Sequence, residues 1–230
     1  MTQLPLKLSP KDFFRLENFY FNQLELKQVI EDFCSIENIE FLYLWGGNST
    51  GKSHLLLAIA EHLQLNHKQV VYLPMKALID QPSSELLQAL EKVDVVCIDD
   101  LDVISASVQW QEGLFHCFNR LQNTHCKLLI AAKTNPKSLD IELADLRSRL
   151  ATGLVYQLHS LNAEDSVNAL MIQAQARGLE MPKEVAHYLL RHYSRDMAEQ
   201  VGLLQTLDNA SMAAQRRLTI PFIKQVLDDV

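Results

Sequence analysis

The apolar positions of this chain fall into three regimes. In the first, Met1 to Asp12, nothing repeats at a helical period. Pro5 and Pro10 oppose a helix, and Leu4, Leu6 and Leu8 alternate after Gln3, the spacing of an extended peptide. In the second, from Phe13 to Leu161, short apolar runs of strand type alternate with helical spacing. Phe41–Trp45, Gln69–Pro74, Val93–Asp100, Lys127–Ala132 and Gly153–Leu158 are the predicted strands. Predicted helices run from Leu24 to Phe33, Ser53 to Leu63, Ser83 to Glu91 (with Ser83 or Ser84 as N-cap), and Gln109 to Gln122. Five strands alternating with helices argue an α/β fold with a parallel sheet and right-handed crossovers. In the third regime, from Asn162 on, the strand signal stops. Helices are predicted over Ala163–Arg177, ended by Gly178, over Pro182–His192 and over Arg195–Gln215, with a fourth capped by Thr219. The pattern therefore predicts an extended tail over 1–12, an α/β domain over 13–161 and a small all-α domain over 162–230.

Composition narrows this picture. The chain has 230 residues, 48% of them hydrophobic, enough for a core in one or two domains. No run approaches the ~20 apolar residues of a membrane span, and no basic-then-apolar leader opens the chain, so no membrane and a cytoplasmic location are expected. Cys34, Cys97, Cys117 and Cys126 are widely spaced and form no C-x-x-C pair, which reads as reduced, mostly buried thiols. The eight histidines lack ligand spacing, so a metal site built by the protein alone is not expected. The formal net charge is −7, and basic residues are scattered among acids, which disfavours tight, sequence-neutral nucleic-acid binding.

The chemistry concentrates in Gly46-Gly47-Asn48-Ser49-Thr50-Gly51-Lys52-Ser53, which fits the P-loop pattern G-x-x-x-x-G-K-[ST]. It follows a predicted strand and opens a predicted helix, the context a phosphate cradle needs. Lys52 would reach the β- and γ-phosphates and the Ser53 hydroxyl would sit on Mg²⁺. The strand ending Ile98-Asp99-Asp100 fits the Walker B pattern. Asp99 would hold Mg²⁺, and Asp100 would orient or deprotonate the attacking water. Three features keep two readings each. Alternating leucines in the tail suit a partner's groove or packing on the parent domain. The aromatic cluster Phe19-Tyr20-Phe21 suits an adenine ring or a core. Arg147 and Arg149 suit solvent or a neighbouring subunit's nucleotide.

Together the P-loop, the Ile98-Asp99-Asp100 ending, Ser148-Arg149-Leu150 and the small helical lid resemble the AAA+ P-loop NTPase module of the DnaA family, and within it the DnaA-related regulators of replication initiation. The tail Gln3-Leu4-Pro5-Leu6-Lys7-Leu8 is similar to the sliding-clamp-binding motif of those regulators. The ending Ala214-Gln215-Arg216-Arg217-Leu218-Thr219-Ile220-Pro221-Phe222 is similar to their C-terminus. The resemblance covers nearly the whole chain. It implies that Gln3, Leu4, Leu6 and Leu8 dock on the DNA polymerase sliding clamp, and that DNA is met indirectly through the clamp. It implies that Gly46, Gly47, Asn48, Ser49, Thr50, Gly51, Lys52, Ser53 and His54 hold ADP or ATP with Mg, ADP supporting the active form. Arg195 matches the sensor-2 arginine, which contacts the phosphates in cis. Arg149 matches the arginine finger, reaching in trans to ATP on DnaA. The implied function is clamp-dependent stimulation of hydrolysis of DnaA-bound ATP, which prevents re-initiation, with a homo-oligomer implied by the trans arginine. DnaA continues past its lid into a helix-turn-helix domain. With the sequence stopping at Val230, no such domain is expected, in keeping with the acidic charge. Lys133 stands where the family often carries an acidic sensor-1 residue, which implies slow hydrolysis by the chain itself. A helicase loader of the DnaC type, turning over ATP through Asp99 and Asp100, is the alternative. A P-loop small-molecule kinase is a third, lacking an acceptor-binding lid. The tail separates the first two, since a loader has no use for it.

Overall fold

The structure, a computed structural model, describes residues 15–35, 39–193, 197–214 and 216–228. They group into two compact units. One spans 23–160, and the other joins 15–22 to the chain from 161 onward.

The first unit begins with α1 (Leu24–Ser35), which buries Leu26, Ile30 and Phe33 at helical spacing. Then follow β1 (Phe41–Trp45), α2 (Lys52–Leu65), β2 (Val70–Pro74) and two single-turn helices, α3 (Met75–Leu78) and α4 (Ser83–Leu86). After β3 (Val95–Asp99) and a 3₁₀ segment over Leu101–Ala106 come α5 (Val108–Leu121), β4 (Lys127–Ala132), α6 (Ala144–Leu150) and β5 (Leu154–Gln157). The five strands are parallel, in the order β2-β3-β4-β1-β5. A parallel sheet covered on both faces needs near-continuous apolar strands rather than alternating ones. That is why β3 is buried at every position, whereas β2 and β5, at the edges, are only partly covered. Tyr43, Val96, Ile98, Trp110, Phe118 and Ile130 centre the core. The Trp110 indole N–H is satisfied by the Ile79 carbonyl at 2.8 Å.

One predicted helix is shorter than its pattern. Ser83–Glu91 forms a helix only over Ser83–Leu86; Ala89 then turns left-handed (φ 59°) and a 3₁₀ turn follows over Leu90–Lys92. The cause is tertiary. Arg120 Nη2 takes the Leu87 carbonyl at 2.6 Å, the acceptor that a continuing helix would use. Ser83 does not cap the turn with its side chain; its hydroxyl donates to the Gln109 carbonyl at 3.2 Å. Just before α6, which starts at Ala144, the buried Gln111 side chain accepts from the backbone N–H groups of Glu142 and Leu143 at 2.9 and 3.1 Å.

The helical unit contains α7 (Ala163–Gln175), α8 (Lys183–His192), α9 (Met197–Ala214) and α10 (Ile220–Asp228). Asn162 caps α7, its side chain accepting from Asp165 N at 2.8 Å. The chain leaves α7 through Gly178 at φ +74°, with Leu179 N bonded to Ala174 O and Gly178 N to Gln175 O, a Schellman ending. Thr219 caps α10 through Phe222 N at 3.4 Å. Val167, Leu170, Val185, Leu189, Leu204, Leu207 and Ile223 form this unit's core. Residues 15–22 pack here too. Tyr20 donates to Asp165 at 2.7 Å, and the buried Gln173 amide donates to the Asn18 carbonyl at 2.7 Å. No described helix is long and apolar enough to cross a membrane.

Gly153 precedes β5, and a Cβ there would stand 2.5 Å from the Phe41 ring, itself packed edge-on to Phe118 at 5.4 Å. Gly153→Ala is expected to cost about 1–3 kcal/mol, the usual range for overpacking. Urea unfolding of the full chain should show a lower midpoint at unchanged slope; an unshifted midpoint would show that Phe41 yields freely.

Candidate nucleotide-binding site

The phosphate loop leaves the sheet from its interior. Gly46 N donates to the Ala132 carbonyl of β4 at 3.2 Å, and Leu158 N, beyond β5, donates to Trp45 O at 2.7 Å. Between these neighbours there is no room for a side chain at Gly46, where a Cβ would lie 2.4 Å from the Leu158 carbonyl oxygen and 2.9 Å from Thr50 Oγ1. Further on, Ser49 (φ 59°) and Gly51 (φ 86°) are both left-handed. Such turns aim successive backbone N–H groups at one point. Gly51 delivers the chain into α2, whose first N–H groups lack helical partners and favour an anion. Gly47, Asn48, Ser49 and Ser53 are exposed, His54 is half-buried, and Gly46 and Thr50 are buried.

Lys52 is 8% exposed. Its ammonium donates to the Gly46 carbonyl at 2.8 Å, the Gly47 carbonyl at 2.5 Å and Thr50 Oγ1 at 3.4 Å. Burial pulls its pKa below the ordinary lysine value, while Asp102, Asp99 and Asp100 oppose that shift, in falling order. The lysine thus feels the charge of three carboxylates, and each of these has its own partner.

Asp99, 3% exposed at the end of β3, accepts the Tyr72 hydroxyl on Oδ2 at 2.8 Å and Asp100 N on Oδ1 at 2.9 Å. Burial, then the Asp99 charge, holds the Tyr72 phenol well above the usual tyrosine range. Asp100 has left-handed backbone (φ 53°), and its carboxylate forms an ion pair with Lys76 at 2.8 Å. Asp102 was not singled out in the sequence. It accepts from Lys133 N at 2.5 Å, Thr134 N at 3.3 Å and Thr134 Oγ1 at 3.1 Å, tying the segment after β3 to the end of β4. The only signal for it was a third acid just beyond the Asp99-Asp100 pair. Tyr43, fully buried, adds a bond from its hydroxyl to the Thr134 carbonyl at 3.1 Å.

Among the described residues no group of three or more His, Cys, Asp or Glu side chains could hold a metal ion. The donor set that does fit a hard divalent cation is the exposed Ser53 hydroxyl with Asp99, whose oxygens each keep a lone pair, completed by phosphate oxygens and water. Cys97, Cys117 and Cys126 are buried, Cys34 is partly covered, and all four are free thiols.

The charges of Asp99 and Asp100 act on Lys52 of the phosphate loop, whereas Arg149 has its partners elsewhere. That side chain, on α6, donates to the Gln122 side-chain carbonyl at the end of α5 and stacks over the Phe115 ring of α5 at 5.7 Å. Arg195 and the tail residues Gln3, Leu4, Leu6 and Leu8 lie outside the described residues.

The family model of the bacterial DnaA ATPase domain matches residues 25–157, more than half of the chain, and the model of the Hda lid domain matches residues 163–227. An uncharacterized protein of Haemophilus influenzae is 37% identical over 228 residues, 98% of each chain. Among solved structures, domain III of the Thermotoga maritima replication initiation protein DnaA superposes with a TM-score of 0.75 at 22% identity, over 94% of this chain and 96% of that one. AMPPCP-bound DnaA from Aquifex aeolicus gives 0.69 at 22% identity, over 86% and 66%. The Thermotoga maritima RuvB branch migration motor gives 0.69 at 16% identity, over 94% and 73%. The structural likenesses establish an AAA+ fold, and the two family matches place it more finely: the chain belongs to the DnaA family, as a DnaA-related replication regulator with a lid of the Hda type.

Proposed function

We propose that this chain holds an adenine nucleotide, ADP in its active form, and supplies Arg149 in trans to ATP bound on DnaA. The observation that carries this reading is the union, in one chain, of a DnaA-type ATPase module with an Hda-type lid. The location of Arg149 supports it: the guanidinium is held on α5 by Gln122 and Phe115 rather than by its own phosphate loop. On a neighbour's nucleotide an arginine stabilises the charge spread over the transferring phosphoryl group, and such fingers are worth about 10³–10⁵ in rate. In the chain's own site, Gly46 to His54 hold the phosphates, with Arg195 as a further cation. Ser53 and Asp99 hold Mg²⁺, which neutralises phosphate charge when bound. The tail over 1–12, through Gln3, Leu4, Leu6 and Leu8, tethers the chain to the DNA-loaded sliding clamp, and DnaA deprived of ATP no longer re-fires the origin. The finger needs a neighbouring site, so the working form is an oligomer, in the cytoplasm where DnaA and the clamp operate.

The nucleotide half of the proposal is tested on the chain alone. Lys52→Ala and Gly46→Ala should each lose at least about tenfold in ADP affinity by equilibrium titration, one through the missing cation and the other through the collision with Leu158. Arg149→Ala should bind ADP like the parent; a large loss there would place Arg149 in its own site.

The trans half is tested on DnaA. ATP bound to DnaA is followed with clamp loaded on DNA, after adding the parent chain, Arg149→Ala, or the Gln3→Ala/Leu4→Ala double variant. Hydrolysis should rise with the parent and fall about 10³-fold or more with Arg149→Ala. It should become insensitive to the clamp with the tail variant. If the parent has no effect, the trans role is wrong. If instead the chain alone turns over ATP rapidly, the helicase-loader alternative takes its place.

A further inference from the structure

We propose that Lys76 is a brake on this chain's own hydrolysis: its ammonium holds the Asp100 carboxylate away from the water that would attack the γ-phosphate. The inference rests on the nucleotide-holding role above and adds a residue and a device to it.

The brake is built by strand register. β2 and β3 run parallel with Leu73 opposite Ile98 and Pro74 opposite Asp99, so the chain just past β2 is carried alongside the acid pair. There α3 begins, and it is anchored by Met75 and Leu78, 0% and 4% exposed, which leaves Lys76 between them with its head outside the core. Its ammonium meets Asp100 Oδ1 at 2.8 Å. Asp100 is fixed from the other side. Its left-handed backbone is sparsely populated for a residue with a side chain, and it is pinned by Asp100 N to Asp99 Oδ1 at 2.9 Å and Val103 N to Asp100 O at 3.2 Å.

The neighbouring acids cannot substitute. Asp99, buried and bonded to the Tyr72 hydroxyl and Asp100 N, turns its remaining lone pairs to the cation it shares with Ser53, and Asp102 is spent on Lys133 and Thr134. In hydrolysis the water oxygen bonds to the γ-phosphorus and the bond to the β–γ bridging oxygen breaks. A water proton passes through the orienting carboxylate to solvent, leaving ADP and phosphate. With all three carboxylates partnered, that carboxylate is missing. Asp100 is the one whose carboxylate is paired by a lone solvent-facing ammonium, the Lys76 side chain being 58% exposed. A pair this open is held loosely, so the brake is worth several-fold rather than orders of magnitude.

The test compares the full chain with Lys76→Ala, Lys76→Arg and the Lys76→Ala/Asp100→Asn double variant, each loaded with Mg-ATP in single turnover. Lys76→Ala should hydrolyse about 3–10-fold faster, in keeping with a loose ion pair. Lys76→Arg, which remakes the pair, should stay slow, and the double variant should lose the gain. A second readout needs no turnover: affinity for ADP with aluminium fluoride, a mimic of the transferring phosphoryl, should rise in Lys76→Ala by a similar factor while affinity for ADP alone does not change. If Lys76→Ala binds ATP like the parent but gains neither rate nor fluoride-dependent affinity, the brake is overturned and the nucleotide site stands. If the parent binds no nucleotide, both fall together.

Discussion

The approach of Gly46 to the Leu158 carbonyl is the constraint on which the rest of the site depends. β1 lies between β4 and β5, and the phosphate loop must climb out between the ends of its neighbours. Only a residue with no Cβ passes there. Once the loop has taken that path, its own carbonyls at Gly46 and Gly47 receive the Lys52 ammonium, and Gly51 turns the chain into α2. The cradle is therefore shaped by backbone against backbone, with side chains recruited afterwards.

Around that cradle the charges are arranged by three different elements. β2 contributes Tyr72 to Asp99, α3 contributes Lys76 to Asp100, and the end of β4 contributes Lys133 and Thr134 to Asp102. Each carboxylate thereby ties the region around the end of β3 to a neighbouring segment, and Lys52 feels the sum of them. Such a floor suits retention of a bound nucleotide. A ligand at free concentration L that binds only the folded form stabilises it by RT ln(1 + L/Kd), so an occupied site also steadies the unit that contains it.

What could be read from the sequence was whatever is encoded locally. The glycine loop, the five apolar strands, the Thr219 cap and the Gly178 ending each announce themselves within a few residues, and the structure has them in place. What could not be read was set by pairing across the fold. Tyr72 and Lys76 become partners of the acids only through the β2–β3 register. The predicted helix over 83–91 is interrupted by Arg120, 33 residues away from the carbonyl it takes. Tyr20 had two readings as part of an aromatic cluster; its hydroxyl is satisfied by Asp165, 145 residues on. A residue type with a fixed task in the backbone is visible locally, whereas a hydrogen-bond partner chosen by topology is not.

That last contact also alters how the chain is partitioned. Because residues 15–22 belong with the helices after 161, everything from 23 to 160 is, topologically, an insertion inside the helical unit. During synthesis the helical unit cannot close on Asn18 and Tyr20 until the whole parallel sheet has been made. Its hydrogen bonds from Gln173 to Asn18 and from Tyr20 to Asp165 have among the longest sequence separations in the molecule. Loop-closure entropy makes such contacts late ones. The helices from 161 onward, cut out by themselves, would strand the buried Gln173 amide without its acceptor. An excised lid therefore has to carry the far end of the chain with it.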